Sequence, residues 1–235
     1  MFIHKTSEFT IYFGDAVESV LLEEIGKQKN TQNLQKIAQR IQAEHIALLR
    51  QEHRVQGRII ELSDDQSYFF QSTGDYLITQ KKDYGIGVVT GDCLSIVIYD
   101  RVTHTAGIVH AGWKGLLAGV FQIAIDDMIE KKGVYVAHLE IYLGPAARSC
   151  CYEVQQDFVD QFKKYENDPF IFIKKDGKTY FDSQSFIIVI ARSLGIEQEK
   201  LYTRYNVCTI CNLSFCSYRR EQEKARRQVT MICLH

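Results

Sequence analysis

Residues 93–133, CLSIVIYDRVTHTAGIVHAGWKGLLAGVFQIAIDDMIEKKG, constrain the fold more than any other part of the chain. Two short runs rich in β-branched residues flank the polar stretch Arg101–His104, the pattern of a β-hairpin. A helical stripe of Leu116, Leu117, Val120, Phe121, Ala124 and Met128 follows, and Lys131, Lys132 and Gly133 supply a basic last turn and a glycine stop. The pattern therefore predicts strand, turn, strand and one long helix laid against them. Side chains alternate across a strand, so a strand starting at Cys93 places that thiol on a face with Ser95, Val97 and Tyr99. Folding the hairpin at Arg101–His104 brings Cys93 close to His110, although a slip of one residue would separate them. Taken singly, a buried thiol and a hydrogen-bonded core histidine are the commoner fates of these two residues.

Elsewhere short strands come in groups with helices between them. FTIYFGD, HIALLRQEH (ending at His53), YLITQ and GIGVVT read as strands, and TQNLQKIAQRIQAE as a helix with Leu34, Ile37, Ala38 and Ile41 on one face and Thr31 as its cap. After Gly133 come a strand (HLEIYLGP), a helix (EVQQDFVDQFKKY) and two strands (FIFIKK, KTYFD). A helix capped by Ser183 and the strands LYTRYN and QVTMICL follow. Grouped strands without strict alternation indicate an α+β fold with a mixed sheet. Two prolines and no low-complexity stretch indicate one domain over residues 1–235. A net charge of -1 leaves no electrostatic footprint for nucleic acid or an anionic membrane. No apolar stretch approaches the roughly 18 to 20 residues of a spanning helix. The start lacks the basic and apolar regions of a signal peptide, and seven cysteines, an odd number, favour reduced thiols in a cytoplasmic protein.

TGDCLSIVIYD, followed by AGIVHAGWKGLLAGV and YLGPAARSCCYEV, resembles the laccase-domain family, also called the multicopper polyphenol oxidase family. CTICNLSFCSYRREQEKARRQVTMICL is similar to that family's closing Cys-Thr…Phe-Ser-Tyr-Arg-Arg…Gly-Arg-Gln segment, and LLRQEHRVQG to its Gln-x-His segment. The chain departs from the family at Cys216, where many members carry Phe, and at Arg226, where Gly is usual. The resemblance implies a four-layer α/β/β/α sandwich with mixed β-sheets, related to the catalytic domain of cytotoxic necrotizing factor toxins. It also implies a metal site of His53, Cys93 and His110. Three N/S ligands leave a fourth position open, as in catalytic zinc, which lowers the pKa of a bound water to about 7. A His2Cys set suits copper too, so copper is a possible substitute. A multicopper laccase needs further histidine-rich sites, however, and the seven histidines include no His-x-His pair.

The activities the resemblance implies are phosphorolysis of adenosine, inosine and methylthioadenosine, and deamination of adenosine. Partners are then purine nucleosides and phosphate, and the protein a monomer or homodimer. Deamination follows from zinc-activated water attacking C6 of adenine. Phosphorolysis needs an anion site, for which Arg148, Arg219 and Arg220 are candidates, with the backbone N–H groups where HAGWKG begins its helix. Asp92 matches the family's aspartate beside the cysteine and is preferred over Glu52 as general acid or base, provided that the strand ends or bulges there. Trp113 either stacks on a purine or packs on the sheet. CTIC with Cys216 suggests a second zinc, but no fourth ligand is near in sequence, so buried thiols are expected. Cys150 and Cys151, adjacent, are expected to face opposite ways on a strand. Two further enzyme readings are a thiol hydrolase, with Cys93 the nucleophile and His110 its base, and a peptidoglycan-precursor editing factor.

Overall fold

The computed structural model describes residues 1–22 and 28–235, with the side chains of residues 28–31 and 68–71 outside that description. The predicted hairpin is present: β8 (Leu94–Asp100) pairs antiparallel with β9 (Thr105–Ala111), Val97 opposite Ile108 and Ser95 opposite His110. Its turn is fixed by the Asp100 carboxylate, which accepts from the N–H groups of Val102 and Thr103 at 3.2 Å. Cys93 precedes the strand instead of lying on it, so strand alternation does not aim its side chain.

The single long helix is two. α2 (Trp113–Ala118) and α3 (Val120–Lys132) meet at Gly119, whose φ of 83° closes one helix and opens the other. Glycine reaches that left-handed conformation at little cost, and the apolar periodicity runs on through the break, which hides it from a pattern reading. Leu116, Val120, Phe121, Ala124, Ile125 and Met128 are buried, while Leu117 is 43% exposed. α3 stops at Gly133, as its basic last turn predicts.

Two six-stranded mixed sheets form the centre. The first runs β1 (Phe2–Lys5), β2 (Phe9–Phe13), β15 (Gln228–Leu234), β7 (Tyr84–Thr90), β3 (His45–Arg50), β5 (Tyr68–Thr73). The second runs β14 (Leu201–Tyr202), β10 (Leu139–Leu143), β8, β9, β6 (Tyr76–Thr79), β4 (Gly57–Ile60). β3 pairs parallel with both its neighbours, and β10–β14 and β4–β6 are parallel, whereas the remaining pairs are antiparallel. The sheets face each other across Phe9, Ile11, Phe13, Ile86, Val97, Tyr99 and Ile108. Beyond the first sheet, α1 (Gln28–Arg40) packs Leu34 and Ile37, with Ile41 just past its end, onto Tyr12, Leu48 and Met231. Beyond the second sheet, α3 and α5 (Ser183–Ser193) cover Ile96, Ile98, Val109 and Ile141. This is the four-layer α/β/β/α arrangement. Each fully buried Leu, Ile or Phe in these layers contributes about 1.5–3 kcal/mol.

A small third sheet, β11 (Glu153–Val154), β13 (Lys178–Phe181) and β12 (Phe172–Lys175), flanks α4 (Gln156–Gln161), which is shorter than its sequence pattern suggests. Two caps differ from expectation. α1 begins at Gln28, so Thr31 lies within it and its side chain falls outside the described residues. α5 is capped by Asp182, whose carboxylate accepts from Ser185 N–H, a stronger charge-assisted version of the bond expected from Ser183. No helix among the described residues is long and apolar enough to cross a membrane.

Candidate metal centre and its cavity

The connection between β3 and β4 passes from the first sheet to the second and carries His53. Its start is stapled by Gln51, whose side-chain amide donates to Val89 O and accepts from Val89 N–H, both at 2.8 Å. The next three backbone N–H groups, of Glu52, His53 and Arg54, all donate to the carboxylate of Asp75 at 2.8–3.2 Å. That nest holds His53 at φ 59°, a conformation non-glycine residues seldom adopt.

Asp75 is fully buried directly before β6, and His110 is 2% exposed on the face of β9 that looks between the sheets. His110 Nδ1–H donates to Asp75 Oδ1 at 2.8 Å, and His110 N–H donates to Asp75 O at 2.7 Å. A carboxylate on Nδ1 fixes the tautomer and leaves Nε2 as the free donor atom. The rings of His53 and His110 stand edge to face, centroids 4.7 Å apart, and His53 Nε2 lies 3.7 Å from Cys93 Sγ. The ligand atoms of His53, Cys93 and His110 all lie within 4.8 Å of one another. The structure thus brings together the three residues singled out by the sequence, from a loop, a strand lead-in and a strand.

Electrostatics couples them. Burial alone would raise the Cys93 thiol, but the charge and hydrogen bonds of His110 and His53 bring it down to about 6. Burial would lower His110, but Cys93 and Asp75 lift it to about 9. The two shifts share one cause, the attraction between an ionised thiol and a charged imidazole, and a metal ion that displaces the His110 Nε2 proton would keep the sulfur ionised.

A cavity of about 620 Å³ opens over His53 and Cys93, with Trp113, Tyr152 and Phe181 among its apolar walls and Glu52, Asp92, Lys114 and Arg219 as its charged groups. Trp113 also packs on Phe158 at 5.3 Å between centroids, so it serves core and cavity at once. Burial pushes the Tyr152 phenol up to about 12, which keeps it neutral. The Arg219 guanidinium sits 5.0 Å above the Tyr152 ring and forms no ion pair among the described residues.

The other two arginines are occupied. Arg148 donates through Nε to Asp182 at 3.0 Å and also bonds Asn206, outside the cavity lining. Arg220 donates to the carbonyls of Thr209, Ile210 and Phe215. Asp92 lies at the cavity wall at φ 87°, off the regular strand, as a role near Cys93 requires. Both its carboxylate oxygens are engaged, by Thr209 Oγ1–H at 2.6 Å and by Ser217 Oγ–H and Arg219 N–H at 3.0 and 2.6 Å. Asp75, Gln51 and Gly112 are the supporting residues that the pattern reading misses. A Cβ on Gly112 would lie 2.5 Å from His53 Cδ2, so the loop closes on Cys93 only because that position is glycine. The aspartate opening the strand after Gly74 and the glutamine two residues before His53 are their visible traces in sequence.

The cysteine expectations need correction. Cys150 and Cys151 lie on a turn, not a strand, and with Cys208 and Cys211 their sulfurs all fall within 4.8 Å. Two cysteines about sixty residues earlier in the chain, not Cys216, are the neighbours of Cys208 and Cys211, where local spacing cannot show them. Cys150 and Cys211 are exposed, and Cys216 is buried apart from the cluster.

Residues 25–235 match the protein family described as multi-copper polyphenol oxidoreductase laccase. Over 230 residues the chain is 27% identical to a purine nucleoside phosphorylase of Clostridium acetobutylicum, covering 97% of this chain and 93% of that one. It is 28% identical over 150 residues to an adenosine deaminase from an unknown prokaryotic organism, covering 62% of this chain and 56% of that one. The crystal structure of the Bacillus licheniformis hypothetical protein YfiH superposes with a TM-score of 0.81 at 24% identity, over 97% of this chain and 93% of that one, a likeness of fold.

Proposed function

The chain belongs to the multi-copper polyphenol oxidoreductase laccase family, and on that premise we propose that it is a zinc-dependent purine nucleoside enzyme. It cleaves adenosine, inosine and methylthioadenosine with phosphate and deaminates adenosine. The observation that carries this reading is the convergence of His53, Cys93 and His110 at a cavity with aromatic walls and an unpaired arginine. Relatives named for each reaction support it.

Two imidazoles and an ionised thiol fit a borderline-soft divalent ion, with one position left for water or substrate. Bound there, zinc would supply Lewis acidity and acidify a water at that position. Everything else is done by the chain. Asp75 holds His110 in one tautomer and His53 in its strained backbone. Trp113, Tyr152 and Phe181 offer flat apolar surface to a purine and exclude bulk water, as ligand cavities of roughly 300–1,000 Å³ commonly do. Arg219 holds phosphate oxygens, with Lys114 as a second cation on the wall. Asp92, its carboxylate fully bonded, positions Arg219 and the segment before Cys93. Glu52, whose exposed side chain lines the cavity, then takes the general acid or base role expected of Asp92, since both Asp92 carboxylate oxygens are already bonded.

The test is product analysis by chromatography with zinc-loaded protein and adenosine, with and without phosphate, beside His110→Ala. Adenine that requires phosphate, or inosine in either case, and loss of both in the variant are the expected results. Absence of product above the variant's background would remove adenosine as a substrate. One observation favours a second reading as a thiol hydrolase: the ligand atoms of Cys93 and His110 lie within 4.8 Å of each other, and each group shifts the other toward its ionised form. A zinc ion that copurifies and caps the thiol argues against it.

A further inference from the structure

Two segments distant in sequence lie side by side on the wall of the molecule next to Asp92. Ala146 and Cys208 form a parallel bridge, with Ala146 N–H donating to Val207 O at 3.1 Å and Thr209 N–H to Ala146 O at 3.0 Å. Just beyond, the chain turns sharply because the N–H groups of Cys151 and Tyr152 both donate to Arg148 O, at 2.9 and 2.8 Å. That turn brings two adjacent thiols to one side. On the other segment, Cys208 and Cys211 stand at C-x2-C spacing, and Asn212 N–H donates to Cys208 O at 3.2 Å.

We propose that Cys150, Cys151, Cys208 and Cys211 form a second metal site, a tetrathiolate that holds a structural zinc ion independently of the His53–Cys93–His110 centre. The ligand number is that of a closed structural site, with no position left for water or substrate. The spacing fits as well. Zinc–sulfur bonds of about 2.3 Å at tetrahedral angles place sulfurs about 3.8 Å apart. Cys150 Sγ and Cys211 Sγ are 3.9 Å apart, and no pair in the cluster exceeds 4.8 Å. A disulfide would need about 2.05 Å, and all four cysteines are free. Apolar packing does not explain the cluster, because Cys150 and Cys211 are exposed.

The site has a structural task. Ala147 N–H donates to Asp92 O at 2.9 Å, and the Thr209 hydroxyl donates to Asp92 Oδ1. Joining the two segments through an ion therefore locks both contacts on Asp92, directly before Cys93. It also fixes the start of the segments that lead to Tyr152 and Arg219 on the cavity wall. The ion thus braces the cavity while taking no part in its chemistry.

The experiment is metal stoichiometry by elemental analysis, with cobalt(II) titration of the reduced, metal-free protein. Wild type is expected to bind two equivalents per chain. His110→Ala should lose one and keep one whose cobalt spectrum carries the intense sulfur-to-metal charge transfer of four thiolates. Cys208→Ser/Cys211→Ser should lose that band and keep the weaker spectrum of a single thiolate. The proposal is overturned if His110→Ala binds no metal or binds cobalt without a four-thiolate spectrum. It is overturned equally if the double serine variant binds as many equivalents as wild type. Should the serine variant not fold, the His110→Ala spectrum alone decides, since it requires no change in the cysteines.

Discussion

Replacing Gly112 with alanine tests how the metal centre is assembled without touching a ligand. Gly112 has φ -70° and ψ 159°, extended backbone that alanine adopts freely, so the change introduces no backbone strain. The new Cβ would stand 2.5 Å from His53 Cδ2, 3.3 Å from His53 Nε2 and 3.3 Å from Cys93 Sγ. Carbon atoms in contact settle at about 3.5–4.0 Å, so the imidazole must withdraw by roughly 1 Å. Metal–ligand distances tolerate only about 0.2 Å, and disturbing what orients a ligand costs about 10- to 100-fold in metal affinity, or roughly 1.4–2.7 kcal/mol. Gly112 also caps α2, where alanine is the poorer residue by up to about 1 kcal/mol, and this loss would appear in the metal-free protein as well. Two assays separate the effects: chelator competition for zinc affinity, and denaturant unfolding of the metal-free chain. The decisive comparison is a cycle with His53→Ala. Once the ring is gone, Gly112→Ala should lower affinity much less, because the severe contact is relieved and only the milder one with Cys93 Sγ at 3.3 Å remains. The same drop in the His53→Ala background would refute the account, as would wild-type affinity in Gly112→Ala itself.

Asp75→Asn should destabilise the protein by about 3–5 kcal/mol at neutral pH, since the buried charge is removed from His110 and from three backbone donors. Burial alone would raise the Asp75 carboxyl, but the bonds from His110 and from the Arg54 and His53 N–H groups hold it below the ordinary carboxylate range. The unfolded chain therefore takes up that proton first, and the stabilisation is full above the ordinary range and lost as pH falls through the lowered value. Urea unfolding across acid pH should show this slope in wild type and its loss in the variant. In the metal-free protein, alkylation of Cys93, followed by peptide mass spectrometry, should reach half its maximal rate at pH about 6, and zinc should block it. A midpoint near the value of a free thiol, about 8.5, would contradict the coupling to His110 and His53. Arg219→Ala should lower kcat/KM for phosphate by about 10- to 100-fold, the scale of a charge-assisted hydrogen bond, and change deamination far less. Equal losses in both reactions would mean that the wall had collapsed and not that an anion contact was lost.

The hairpin of β8 and β9 was legible because its signal is local: two apolar runs, a polar turn and a fixed two-residue period. The four-layer order was available only through family resemblance, since β15 enters between β2 and β7 from the far end of the chain. The ligands divide in the same way. His110 lies in a strand and could be placed from its pattern, but Cys93 sits just outside β8 and His53 on an irregular connection, where no periodicity aims a side chain. Gly119 was hidden because helical periodicity continues across it. Asp75 was hidden because its four donors come from elements that are unrelated until the sheets are stacked. Arg148 and Arg219 look alike in sequence, yet Asp182 occupies one and Tyr152 leaves the other's charge unpaired.

The two aspartates show why this architecture can hold a site at the edge of its central layer. His53 and Asp92 both have positive φ, a cost of order 1–3 kcal/mol each that persists only where the surroundings over-determine it. At His53 the surroundings are Asp75 and the Gln51 staple. At Asp92 they are the residue's own carboxylate, bonded to Thr209, Ser217 and Arg219. In each case a carboxylate, buried at Asp75 and half-buried at Asp92, is satisfied by donors from a loop that would otherwise be free to relax, so its desolvation and the backbone strain are resolved by the same bonds. Those bonds all run between groups of the chain itself, and they draw the side chains of His53, Cys93 and His110 to one place, with their ligand atoms within 4.8 Å of one another.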